Sequence, residues 1–177
     1  LSGWLNSFHI YAFTLVSGYL YFYLRYEKGK YQQLNGFLIN KIKRLIVPYI
    51  FVCIIWVVPV TCLFFDYTAV DIFRKYILGT APSQLWFLWM LFDVFMLVYF
   101  MSDAIYRSNV LSIIVSLAGI VMGIVGSKLF PNVFCIWTGF SYIAYFILGC
   151  KIRQYGSDSL NRIGIVTWVL AHTVLYV

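Results

Sequence analysis

The sequence predicts an all-α, polytopic membrane protein, a bundle of about six spanning helices. Hydrophobic residues make up 63% of the 177-residue chain and charged residues only 11%, whereas a soluble domain carries roughly 25% charged residues. The apolar runs approach the roughly 20 residues that a helix needs to cross a bilayer. Strands of a membrane barrel would instead alternate apolar and polar side chains over ~10 residues.

The apolar runs predict the spans in order along the chain. They lie at residues 4–24, 45–65, 85–102, 110–130 and 133–150, with a sixth beginning near residue 163. Residues 25–44 form a basic, amphipathic connector, and we expect a short amphipathic helix around residues 70–78 and a turn at residues 103–109. The whole chain, residues 1–177, is then a single transmembrane domain. Because it begins at Leu1 and ends inside an apolar run, we expect it to be part of a longer protein.

Lysine and arginine predict the orientation. Ten of the 13 lie in the connections after the first, third and fifth spans, and such residues accumulate on the cytoplasmic side of a membrane. Residues 25–44 and 151–162 are therefore predicted to be cytoplasmic in a multi-pass protein of the bacterial inner membrane. The net charge of +7 fits contact with anionic lipid, so the lipid bilayer is an expected partner and nucleic acid is not.

Cysteines and glycines in the spans predict packing. The four cysteines form no Cys-x-x-Cys pair and lie within or at the ends of apolar runs, so we expect small core residues and no metal site. Gly119 and Gly123 form a Gly-x-x-x-Gly ridge, extended by Gly126, that lets a neighbouring helix approach closely. Pro48 is expected in the first turn of the second span, and Pro59 is expected to kink that helix.

His9 is an ionisable residue inside a predicted span, where such groups are costly and often functional. At helical spacing, His9, Phe13 and Ser17 share one face. An imidazole there suits proton transfer near neutral pH. The alternative is an interfacial histidine that bonds to a neighbouring helix.

Asp93 lies in the middle of the third predicted span, on one stripe with Trp86, Met90 and Leu97. A carboxyl group in a membrane must face protein or water, or be protonated. Asp93 therefore orients a substrate or holds a neighbouring helix by a hydrogen bond, and both interpretations stay open. His172 lies in the last apolar run and receives no role.

The basic connector ends in an amphipathic segment. As a helix, it places Leu38, Ile42 and Leu45 on one side and Lys41 and Arg44 on another. Two interpretations can coexist: anchoring to anionic lipid, and a cationic seat for the phosphates of a cytosolic donor.

Three motifs together resemble the acyltransferase-3 family of bacterial membrane O-acyltransferases. They are FHIYAFTLVSGYL at residues 8–20, KIKRLIVPY at residues 41–49 and LWFL at residues 85–88. The resemblance covers about the first hundred residues, and beyond them only the hydropathy is similar. The motifs differ from the family pattern at Tyr11 and Ala12, in a region where the family usually has a proline.

The resemblance implies an enzyme that transfers an acyl group, most often acetyl, from cytosolic acyl-coenzyme A to sugars of envelope polysaccharides. It matches His9 to the family's second-helix histidine, which we assign as a catalytic residue, and it implies Lys41, Lys43 and Arg44 as the donor's phosphate site. Ser17, Trp86 and Asp93 are the expected substrate contacts. No tightly bound cofactor and no metal are implied.

The family's usual catalytic histidine lies on a helix that would precede Leu1, so this fragment alone is expected to be inactive. The alternatives are a non-catalytic transporter or flippase module, favoured by the kinked, glycine-rich helices and Asp93, and a degenerate fragment.

Overall fold

A computed structural model describes residues 2–64, 69–72 and 86–156, and the regular elements in these segments are all helical. The first helix, α1, spans Ser2–Phe22 and continues as a π-helical turn at Tyr23–Glu27. The other α-helices are α2 at Leu34–Lys41, α3 at Val47–Val52, α4 at Val58–Phe64, α5 at Ala69–Ile72, α6 at Trp86–Arg107, α7 at Asn109–Leu129 and α8 at Ile136–Tyr155.

Within the described residues, four helical segments are long and apolar enough to cross a membrane. They are Leu34–Val60, Trp86–Arg107, Asn109–Leu129 and Val133–Tyr155. They confirm the all-α membrane fold, but the predicted count of about six is not confirmed. The first predicted span is helical as α1 but is not one of the four, because polar residues such as His9 and Ser17 lower its mean hydropathy. The sixth lies outside the described residues.

Several helices extend beyond their predicted bounds; the fifth predicted span, residues 133–150, for example runs to Tyr155. The helix of the second predicted span, residues 45–65, begins at Leu34 and so includes the last part of the basic segment 25–44. The third runs to Arg107, which reduces the predicted turn at residues 103–109 to Ser108. Ser108 Oγ accepts a hydrogen bond from the Leu111 amide at 3.3 Å, and a serine cap of this kind lets a new helix begin at once. Of the helix expected at residues 70–78, only residues up to Ile72 are described.

The α2, α3 and α4 helices form one continuous helix because two π-helical turns join them, at Ile42–Ile46 and Cys53–Val57. Each π turn ends two residues before a proline, Pro48 or Pro59. A proline ring in an α-helix clashes with the carbonyl four residues before it. The wider π turn moves that carbonyl away, so both prolines fit in an unbroken helix.

The α1 and α8 helices pack backbone to backbone through a pair of glycines. A Cβ at Gly18 would overlap the Phe146 carbonyl, and a Cβ at Gly149 would overlap the Leu15 carbonyl. Beside them, Cys150 Sγ donates a hydrogen bond to the Gly18 carbonyl oxygen at 3.3 Å. Any side chain at either glycine would therefore push the two helices apart.

The predicted glycine ridge on α7 is the contact surface for α8. A Cβ added at any of its three glycines would overlap an atom of α8. Gly119 faces Ile143, Gly123 faces Ser141 and Gly126 faces Trp137. The opposite side of α7 is apolar and exposed, as expected for a surface that faces lipid.

The core lies between α6 and α8, where Val94 and Phe146 are fully buried. The C-terminal end of α1 and the start of α2 close this core with Tyr21 and Phe37.

Replacing Gly149 by alanine is expected to destabilise the protein by about 1–3 kcal/mol, the usual cost of overpacking, because the added Cβ meets the Leu15 backbone. The measurement is thermal unfolding of the full-length protein in detergent. Gly36→Ala is the matched control, since Gly36 is helical and no atom lies within 4 Å of its added Cβ. It should be neutral or stabilising by up to about 1 kcal/mol. Equal unfolding temperatures for the two variants would contradict the close α1–α8 contact.

Candidate functional site

Polar and ionisable side chains lie at both ends of the helical bundle. We call the end with Arg25, Lys41 and Arg153 the basic end, and the end with His9 and Trp86 the His9 end. The predicted orientation places the basic end in the cytoplasm.

At the His9 end, α1, α6 and α8 meet through aromatic rings. Tyr11 stacks on Tyr142 with ring centroids 5.0 Å apart and lies 4.6 Å from Tyr145. Trp86 meets Tyr142 edge to face at 6.0 Å. His9, two residues before Tyr11 on α1, is exposed. The structure thus brings His9 and Trp86 to one end of the bundle.

The other two predicted substrate residues lie deeper in the bundle. Ser17 is half-buried on α1, two turns from His9, and Asp93 is half-buried on α6, two turns from Trp86. The Oδ2 atom of Asp93 and the Nε1 atom of Trp89 are buried without a hydrogen-bond partner in the described structure. Buried polar atoms are nearly always hydrogen-bonded, so this acceptor and this donor, one helical turn apart, are exceptions within the described residues.

A strained turn lies next to these two atoms. In the Val133–Cys135 turn, Phe134 and Cys135 have φ angles of 55° and 60°, in the left-handed region. The Phe134 ring lies 5.0 Å from that of Trp89. The Asn132 side chain supports the turn by accepting a hydrogen bond from the Trp137 amide at 3.1 Å. Strain of this kind concentrates at functional sites. In the sequence, this region was marked only by the gap between the predicted spans 110–130 and 133–150, which gives no indication of the left-handed conformation.

At the basic end, Arg25 is enclosed by aromatic and acidic groups. Its guanidinium lies 4.4 Å from the Tyr99 ring centroid, donates to Tyr21 Oη at 3.0 Å and lies 3.6 Å from the Asp103 carboxylate. Tyr26 Oη donates to the same carboxylate at 2.9 Å. Arg25 therefore ties the end of α1 to α6. Its structural role was missed by the sequence analysis, which counted it only as a loop charge.

Of the three cations predicted to bind the donor's phosphates, Lys41 differs from the other two in its burial. It is buried, with Nζ 3.3 Å from the Phe95 ring centroid and 5.4 Å from that of Tyr31. Lys43 and Arg44 are exposed. The expectation that Lys41 and Arg44 share one polar face assumed a regular α-helix. The π turn that begins at residue 42 changes that register, and Lys41 packs into the core while the next two cations face outward.

A second arginine closes the contact between α8 and the end of α1. Arg153 makes a bidentate ion pair with Glu27, at 2.6 and 2.7 Å, and also donates to Tyr19 Oη at 2.6 Å. Hydrogen bonding to Arg153 lowers the pKa of Glu27. Arg25 and Arg153 are thus paired with carboxylates, whereas Lys43 and Arg44 have no ion-pair partner among the described residues.

The helices and these two ends define a polytopic membrane protein with ionisable groups at both ends of its bundle. The family model described as an acyltransferase domain, that of the acyltransferase-3 family, matches residues 4–176. The chain therefore belongs to this family of membrane acyltransferases. Neither a curated protein nor a solved structure matches it significantly.

The pair between Glu27 and Arg153 predicts a pH dependence of stability. Because folding lowers the pKa of Glu27 from its ordinary 4.5, its contribution is fully present above pH 4.5 and is lost as the pH falls through the lower folded value. The unfolding temperature of the full-length protein should exceed that of Glu27→Gln near neutral pH. The difference should shrink in acid. A constant difference at all pH values would contradict the pairing.

Proposed function

We propose that the protein is an O-acyltransferase of the bacterial inner membrane. It transfers an acyl group, most often acetyl, from cytosolic acyl-coenzyme A to a hydroxyl of an envelope glycan. The observation that carries the proposal is the family match over residues 4–176. The distribution of polar side chains supports it, because the basic end suits an anionic donor and the His9 end suits a neutral sugar.

The donor's phosphates are assigned to the basic end. Lys43 and Arg44 are adjacent, exposed and without an ion-pair partner in the described structure. A lysine and an arginine side by side offer several charge-assisted hydrogen bonds to phosphate oxygens. Lys41 is buried against the Phe95 ring, so the contacts to the phosphates are assigned to the two exposed cations.

The acceptor is assigned to the His9 end. The half-buried aromatic layer of Tyr11, Trp86 and Tyr142 offers ring faces and edges on which a sugar can pack. Deeper in the bundle, the Asp93 Oδ2 acceptor and the Trp89 Nε1 donor complement a hydroxyl, which both donates and accepts. Ser17 adds a further hydroxyl on the α1 side.

The reaction needs one general base. His9 accepts the proton of a sugar hydroxyl while the oxygen attacks the carbonyl carbon of the thioester. The tetrahedral intermediate then expels the coenzyme A thiolate, the C–S bond breaks and the ester remains on the sugar. The thiolate takes up a proton, so that the products are the O-acyl glycan and free coenzyme A.

The acyl donor must span the distance between the basic end and the His9 end. Arg25 follows His9 by 16 positions along one helix, which corresponds to about 24 Å. The long pantetheine arm of coenzyme A suits this geometry, because its phosphates can remain at the basic end while the thioester reaches into the bundle.

The paired variant Lys43→Ala/Arg44→Ala of the full-length protein should raise the KM for acetyl-coenzyme A. Loss of hydrogen bonds to charged phosphates corresponds to a change of about 10- to 100-fold, with little change in kcat. The assay measures acetylated glycan and released coenzyme A. Lys28→Ala/Lys30→Ala is the matched control, since it removes two exposed cations from the same connection and should leave KM unchanged. Equal KM values for both pairs would contradict the donor assignment.

His9→Ala should lower kcat by about 10²- to 10⁴-fold, the usual contribution of a general base, and leave the KM for acetyl-coenzyme A unchanged. Leu20→Ala, an exposed position farther along α1, is the control and should retain activity. Wild-type kcat in His9→Ala would remove His9 from catalysis. Substrate transport by the wild-type protein without coenzyme A release would instead favour a transporter.

A further inference from the structure

An open groove between α7 and α8 lies apart from the residues assigned to acyl transfer. Its volume is about 440 Å³, within the range of small-molecule sites. It extends along α7 from Asn109 to Leu117 and along α8 from Tyr155 back to Ala144. At 1.5 Å per helical residue these lengths are about 12 and 16 Å. The groove is therefore about as deep as one leaflet, half of the roughly 30 Å hydrocarbon core.

The walls of the groove are apolar even where they contain serines. Ser112 Oγ donates to the backbone oxygens of Ile105 and Ser108, at 3.0 and 2.8 Å. Ser116 Oγ donates to the Ser112 carbonyl oxygen at 2.8 Å. Both hydroxyl protons are thus used within the protein, and the remaining surface comes mainly from side chains such as Leu117 and Leu148. A hydrocarbon chain suits such walls.

The end of the groove at the basic end is polar and positively charged. Lys151 Nζ donates to Asn109 Oδ1 at 2.9 Å and to Gln154 Oε1 at 2.8 Å. Tyr155 Oη donates to the same Asn109 oxygen at 2.6 Å. An ammonium has three protons to donate, so one remains for an anion. No carboxylate in the described segments forms an ion pair with Lys151.

We propose that this groove binds one anionic phospholipid of the leaflet at the basic end, with its phosphate on Lys151 and an acyl chain between α7 and α8. The depth of one leaflet, the apolar walls and the uncompensated cation at the mouth each match a part of that molecule. Basic pockets between membrane helices on the cytoplasmic side bind anionic headgroups in this way. The site does not depend on the proposed acyl transfer.

The test uses the full-length protein in nanodiscs of phosphatidylcholine with a minor fraction of phosphatidylglycerol. After transfer to neutral detergent, native mass spectrometry measures the lipid that stays bound. The wild-type protein should retain phosphatidylglycerol in preference to phosphatidylcholine. Lys151→Gln should weaken that preference by about fivefold, the value of one lysine near a membrane surface. Lys128→Gln removes an exposed lysine at the other end of α7 and should change nothing.

A second pair of variants tests the acyl chain. Leu117→Trp should fill the groove and displace both lipids. Val121→Trp, one turn farther along α7, is its control. The Leu117 and Val121 side chains are 59% and 58% exposed, so both positions tolerate a larger residue. Val121 does not line the groove. Absence of retained lipid in the wild type, retention of phosphatidylcholine alone, or equal retention by Leu117→Trp and Val121→Trp would each overturn the proposal.

Discussion

The close contact between α1 and α8 determines where the rest of the molecule lies. Lipid provides no hydrophobic driving force for helix association, so membrane helices hold together through close packing and polar contacts. Gly18 and Gly149 each face a carbonyl of the opposite helix, which fixes both the distance and the register. On the side of this contact toward the His9 end, Tyr11 stacks on Tyr142. On the side toward the basic end, Arg153 pairs with Glu27. A slip of one residue would break both pairs.

The charges at the basic end fall into two groups with different uses. Arg25 and Arg153 are paired with carboxylates and connect α1 to α6 and α8. Lys43 and Arg44 stay exposed on a π turn. The paired charges join the helices to one another, and the two cations without an ion-pair partner in the described structure are the ones that our proposal assigns to an anion. Lys41 is buried with its Nζ over the Phe95 ring, where a cation–π contact favours the charged form and the loss of solvation opposes it.

Local patterns in the sequence were enough to predict the helices and the glycine ridge on α7, because hydropathy and small-residue spacing act within one segment. The burial of Lys41 was not predictable from periodicity, since it depends on a π turn that accommodates Pro48. Gly18 and Gly149 each lie about 130 residues in sequence from the residue they contact. Only the assembled bundle therefore reveals these two contacts. His9 and Trp86 were predicted individually. The Trp89 Nε1 atom near Asp93, which has no hydrogen-bond partner in the described structure, and the strained turn at Phe134 could be found only in the folded chain.

The central claim is that the basic end receives an acyl donor from the cytoplasm and that the acyl group leaves on a glycan. The most direct measurement uses sealed membrane vesicles of defined orientation that contain the full-length protein. Labelled acetyl-coenzyme A is added only from outside. We expect labelled glycan in inside-out vesicles and none in right-side-out vesicles until they are opened. Labelling in intact right-side-out vesicles, or in neither preparation, would contradict it.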